Sequence, residues 1–126
     1  IKPYSNLLYI ENFLAWNEKI VTNVLADVKK IVDTCYHDKP WGILSDRTAW
    51  KLGTPEAEEL FSKTAPDAMN SRLTHIAVVV GESEITRWQI KSMTKNYDAH
   101  ETRLFNTMKE AEVWLASFGY RRDDTD

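Results

Sequence analysis

The chain has 126 residues, a length typical of one folded domain. Its mild formal charge of −3, without any clustered run of Lys and Arg, argues against a nucleic-acid surface. The single cysteine excludes an internal disulfide, and no apolar run approaches the ~20 residues of a membrane-spanning helix. No signal-peptide pattern is visible. We therefore expect a single-domain cytoplasmic protein with no nucleic-acid partner and no transmembrane segment.

The first third of the chain predicts two strands separated by one helix. Residues 1–6 contain Pro3 and suit the end of an edge strand, and a full strand is expected over Leu7–Glu11. Apolar residues at helical spacing predict a first helix over residues 15–34. Because Pro40 disfavours helix at the residue before it, the second strand is expected directly afterwards, over residues 41–45.

The clearest helix start in the sequence follows a loop at residues 46–53. Thr54 is a good N-cap, Pro55 suits the first helical position, and acidic residues fill the first turn. Pro66 lies inside the same helical pattern, so we expect it to kink or split this second helix.

The third strand is predicted over residues 75–81. Its continuous apolar run is typical of a central strand that is covered on both faces. A third helix is expected over residues 84–95, with Trp88 among its core residues. The fourth strand, over residues 101–105, is more polar and is therefore expected at an edge.

The last helix is expected to begin after Asn106 or Thr107 and to stop at Gly119. Residues 121–126 are predicted to be a frayed polar tail. The inward-facing residues of this helix are predicted to be Ala111, Trp114, Leu115 and Phe118. Strands that alternate with helices predict an α/β fold with a mainly parallel four-stranded sheet, to which the amino-terminal segment can add an antiparallel strand.

Ligands of open parallel sheets bind beyond the carboxyl ends of the strands. At that edge Arg47 supplies a cation, the helix start at Thr54 supplies free backbone donors, and Trp50 supplies an apolar wall. The alternative without a ligand site is that these residues are ordinary helix caps and polar loop residues, with Trp50 covering the core. The candidate ligand-binding residues are Asp46, Arg47, Thr48, Trp50, Thr54, Glu82 and Ser83.

The histidines and the cysteine argue against catalysis. All four precede predicted strands, so they are expected at the amino-terminal edge of the sheet, away from the candidate site. Catalytic Ser/His/Asp and Cys/His groups must be in hydrogen-bond contact. The spacing of His37, His75, His100 and Cys35 matches no standard zinc pattern, so solvated surface histidines are the favoured interpretation. We predict no catalytic residue, no metal and no cofactor.

Several segments together resemble one known family. These segments are Trp16-Asn17-Glu18, Pro40-Trp41, Thr54-Pro55-Glu56-Ala57, Ala77-Val78-Val79-Val80, Phe105 and Glu110-Ala111-Glu112-Val113-Trp114-Leu115. The set is similar to the SpoIIAA-like group of small bacterial proteins, which are described as STAS/SEC14-like. The resemblance implies a right-handed β-α superhelix of four turns, strands in sequential order, an extra strand before the first helix, and binding or regulation rather than catalysis.

The same resemblance draws attention to Thr54. STAS anti-anti-sigma factors carry an Asp-Ser-x-Gly signature whose serine, at a helix start, is phosphorylated by a kinase. The corresponding region here reads Lys51-Leu52-Gly53-Thr54-Pro55, in which Thr54 is the only hydroxyl. Thr54 is thus the candidate phospho-acceptor, although the acidic residues of the first turn would oppose a phosphate. SEC14-type relatives bind lipids, which would suit the loop around Trp50.

Our first interpretation is a non-enzymatic binding or regulatory module of STAS type that acts on another protein. The alternative is a small-molecule or lipid-binding protein that holds a small amphiphilic ligand in the crevice at the strand ends. A hydrolase of unknown class is the least favoured.

The predicted N-cap at Thr54 and the predicted apolar wall at Trp50 can be tested separately. Thr54→Ala should lower the free energy of unfolding by about 1 kcal/mol, because an N-cap bond is lost. Trp50→Ala should instead reduce the retention of a ligand or partner. Denaturant unfolding and pull-down of both variants measure the two effects. If both variants lose only stability and keep every partner, the strand-end site is contradicted.

Overall fold

The fold is given by a computed structural model that describes residues 1–11, 17–47, 55–68, 72–81, 84, 88 and 101–122. Five strands and three helices have defined bounds within these ranges. In chain order they are β1 (Lys2–Pro3), β2 (Leu7–Glu11), α1 (Glu18–Cys35), β3 (Trp41–Asp46), α2 (Pro55–Ala68), β4 (Leu73–Val79), β5 (Glu101–Phe105) and α3 (Met108–Ala116). The alternation of strands and helices confirms the α/β prediction.

The strands form one mixed sheet in the sequential order β1-β2-β3-β4-β5. The amino-terminal strand β1 pairs antiparallel with β2, and the other neighbouring strands pair in parallel. The apolar strand β4 lies between β3 and β5, as its sequence predicts, and the more polar β5 lies at the edge. None of the described helices is long and apolar enough to cross a membrane.

The pleat of the strands divides the core between the two faces of the sheet. On one face, α1 and α2 pack over residues such as Leu8, Ile43 and Ile76. On the other face, α3 packs over Leu44 and Ala77. The buried residues of α1 are Val21, Leu25, Val28 and Val32, which recur at the three- and four-residue spacing of one helical stripe.

Local capping sets the starts of α1 and α3. The side chain of Asn17 accepts a hydrogen bond from the backbone N–H of Ile20 at 2.9 Å, which starts α1 three residues later than the periodicity predicts. At α3, Thr107 accepts from the Glu110 N–H and donates to the Glu110 side chain. The bond from the Glu110 N–H identifies Thr107 rather than Asn106 as the N-cap of α3.

Three predictions about individual residues are wrong. Pro66 does not split α2, which continues to Ala68, because the proline lies in the last turn, where few hydrogen bonds remain to be broken. Trp88 is 69% exposed, since helical spacing defines a stripe but does not determine whether that stripe faces the sheet. Phe118 is 44% exposed and is not among the core residues, although its ring stacks on that of His75.

Tyr36 anchors the end of α1 to the edge of the sheet. Its buried ring stacks on Trp41 with 4.9 Å between centroids, and its hydroxyl donates to the carbonyl oxygens of Tyr4 and Leu7 at 2.7 and 3.0 Å. Burial raises the pKa of Tyr36 from 10.0 to about 12, with a smaller rise from the neighbouring Cys35. The folded protein therefore holds this phenol in its neutral form.

The raised pKa of Tyr36 predicts a loss of stability in alkali. Above pH 10 the unfolded chain ionises this phenol while the folded chain does not, so stability should fall between pH 10 and 12 by roughly 2–3 kcal/mol. Tyr36→Phe should reduce the measured alkaline fall by about this amount, while Tyr9, whose pKa is also raised to about 12, keeps its own contribution. At neutral pH the variant should lose about 1 kcal/mol, because the hydrogen bond from the hydroxyl to the Tyr4 carbonyl is lost while the Leu7 carbonyl still accepts from the Tyr4 N–H. Denaturant unfolding from pH 8 to 12 measures both effects. An unchanged alkaline fall in Tyr36→Phe would contradict this assignment.

Candidate functional site

Two of the sequence-predicted site residues lie within the described part of the chain, at the carboxyl end of β3. Asp46 ends the strand, and Arg47 follows it with its backbone N–H bonded to the Val79 carbonyl. Arg47 is only 8% exposed; its Nε donates to Ser45 Oγ at 3.1 Å, and its guanidinium lies 6.0 Å from the ring centroid of Phe61 in α2. Because the side chains of successive residues in an extended chain point to opposite faces of the sheet, those of Asp46 and Arg47 lie on opposite faces.

The other predicted site residues, Thr48, Trp50, Thr54, Glu82 and Ser83, lie outside the described residues. The strand-end site and the phosphorylation of Thr54 therefore stay predictions.

His75 is not the solvated surface histidine that the sequence predicts. Its side chain is 18% exposed, and its ring lies nearly parallel to that of Phe118 with 3.9 Å between centroids. Its Nδ1 lies 2.9 Å from Thr74 Oγ1, and its Nε2 lies 3.8 Å from a carboxylate oxygen of Glu101. The prediction is wrong because β4 begins at Leu73, which places His75 inside the sheet near α3.

His37 and Cys35 lie at the surface. His37 has an exposed side chain 3.9 Å from Asp38, Cys35 is exposed, and His100 lies outside the described residues. Within the described ranges, no three His, Cys, Asp or Glu side chains come together as metal ligands.

One extra residue in β4 determines what faces α3. Trp41 pairs with Leu73 while Gly42 pairs with His75, so Thr74 is inserted into the register. As a result Leu73 and Ile76, three residues apart, both pack in the core beneath α1 and α2. Such a bulge redirects side chains locally. Here it allows Thr74 to reach the carboxyl-terminal segment, which we define as residues 119–122.

The carboxyl-terminal segment leaves α3 through a Schellman motif. Gly119 adopts a left-handed φ of +88°, and its N–H bonds to the Ala116 carbonyl. The next N–H, of Tyr120, bonds back to the Leu115 carbonyl at 3.1 Å. In this motif the residue after the glycine packs on the helix residue five positions before it. Here those two residues are Tyr120 and Leu115, which belong to the same apolar cluster. Gly119 therefore both ends the helix and turns Tyr120 inward.

Tyr120 and the adjacent Gly119 are held by two strands of the sheet and by the turn before β2. The Tyr120 ring occupies the space above Gly42, where an added Cβ would lie 3.1 Å from the ring carbon Cδ2. Its hydroxyl is hydrogen-bonded to Thr74 Oγ1 in β4. The adjacent Gly119 carbonyl accepts from Asn6 Nδ2 at 3.1 Å, at the turn before β2. The segment thus crosses the sheet beside α3 along a defined path.

A charged cluster lies where this path ends. Arg122 Nη2 is 2.8 Å from Glu112 Oε1 in α3, and the guanidinium carbon lies 4.9 Å from the ring centroid of Tyr9. The Tyr9 hydroxyl donates to Glu11 at 2.6 Å. Burial, the bond to Glu11, and the charges of Glu11 and Asp46 together raise the pKa of Tyr9 to about 12, against the opposing effect of Arg122. Tyr9 is therefore a neutral donor at physiological pH.

Between α3, the sheet and the carboxyl-terminal segment lies a cavity of about 360 Å³, which we call the α3 cavity. Its lining residues are Leu7, Leu44, Glu112, Leu115, Ala116, Tyr120, Arg121 and Arg122. Leu7, Leu44 and Leu115 lie at its base with 1% or less of their surface exposed, and the charged groups of Glu112, Arg121 and Arg122 border it. A concave site of this size towards which several polar groups converge is a candidate small-molecule site.

Sequence reasoning missed the residues that form this cavity. Arg121 and Arg122 were expected in a frayed tail, yet both line the cavity, and Arg122 is paired with Glu112. The available signal was Gly119 followed directly by Tyr120, since a helix-stopping glycine turns the next apolar residue back onto the helix. No signal in a single sequence pairs Gly42 with Tyr120.

No family model, curated protein or solved structure matches this chain. The resemblance to SpoIIAA-like proteins therefore stays a prediction.

The contact between Tyr120 and Gly42 predicts a specific coupling. Gly42→Ala should destabilise the protein by about 1–3 kcal/mol, because the new methyl overlaps the ring in a packed interior. In a Tyr120→Ala background the same substitution should have a smaller effect, although the His75 carbonyl, 3.2 Å from the added Cβ, still limits the space. A double-mutant cycle by denaturant unfolding measures the coupling. Equal effects of Gly42→Ala in both backgrounds would show that the two residues are not in contact.

Proposed function

We propose that this protein is a non-enzymatic binding module whose ligand is a small molecule held in the α3 cavity. The observation that carries the proposal is the cavity itself. Its volume of about 360 Å³ lies within the range of roughly 300–1,000 Å³ typical of ligand pockets. Charged groups at the border offer points that can orient a ligand.

The chemistry of the lining favours binding over catalysis. Glu112 and Arg122 are engaged with each other, and Tyr9 beside them donates its hydroxyl proton to Glu11, with its pKa raised to about 12. A nucleophile needs an adjacent base to activate it. The charged groups that line this cavity form an ion pair instead, an arrangement that suits recognition of a polar ligand group.

The proposed ligand site differs from the crevice at the strand ends that the sequence predicts. The sequence-based alternative places a small amphiphilic ligand at the carboxyl ends of the strands, whereas the cavity runs along the face of β2 and β3 beneath α3. The proposal keeps three predictions made from the sequence. These are a STAS-type regulatory role, a cytoplasmic location and a four-turn right-handed superhelix. In such a role, ligand occupancy would be transmitted to a protein partner.

Filling the cavity tests the proposal. Ala116 lines the cavity on α3, so Ala116→Leu should take up part of its volume and reduce retention of the ligand. Val113 is 64% exposed on the outward side of the same helix, so Val113→Leu is a matched control that should retain the ligand. Native mass spectrometry of freshly purified protein compares the bound mass in the three proteins.

Two results of that experiment count against the proposal. The first is a bound mass that survives Ala116→Leu unchanged, because the ligand must then lie elsewhere. The second is wild-type protein that carries no small molecule but a stable protein partner, which supports the sequence-based interpretation of a protein-binding module.

A further inference from the structure

We draw no further inference here: the strongest candidate, the surface patch of Arg103, Trp114 and Phe118 where the end of α3 meets the edge strand β5, carries nothing because the described residues do not show what covers it.

Discussion

The ring of Tyr120 lies against Gly42, and the position of the carboxyl-terminal segment depends on that contact. A side chain at residue 42 would occupy the same space, since an added Cβ would lie 3.1 Å from the ring. The extra residue in β4 adds the second condition, because it brings the Thr74 hydroxyl to that of Tyr120. Gly119 adds the third by turning the chain back onto α3.

These three conditions together form one wall of the α3 cavity. Without them the segment beyond α3 would have no fixed path, and Arg122 would not be held between Glu112 and Tyr9. The energies involved are unequal. Close packing around Tyr120 contributes on the order of 1–3 kcal/mol and its partly buried hydrogen bond about 1 kcal/mol, whereas the partly exposed ion pair contributes about 1 kcal/mol or less. The packing of Tyr120 thus fixes the wall of the cavity, and the ion pair adds little to it.

The sequence predicts well wherever a local pattern determines the structure. Hydrophobic runs identify β2, β3 and β4, and the polar character of β5 identifies the edge of the sheet. The cap at Thr107 and the stop at Gly119 are equally local, because each depends on a few consecutive residues. Pro66 shows the limit of such rules, since its effect depends on how many turns of helix follow it.

The site is harder to predict because it is built from contacts between distant residues. The register shift that places His75 and Thr74 has no signature in the strand itself, so His75 reads as a surface histidine in the sequence. The pair of Gly42 and Tyr120 spans most of the chain, and one sequence contains no information that links them. Arg122 was missed for a related reason, because a polar residue near a chain end is normally solvated. Here the packing of Tyr120 against Gly42 fixes the path of the chain and brings Arg122 to Glu112.

Nuclear magnetic resonance of the protein in solution tests the central claim most directly. If the Tyr120 ring lies against Gly42, the ring protons of Tyr120 should show nuclear Overhauser effects to the α-protons of Gly42, and the α-protons should be shifted by the ring current. Both signals should disappear in Tyr120→Leu. Assigned spectra of the folded protein with Gly42 α-protons at ordinary positions and no contact to Tyr120 would contradict the account.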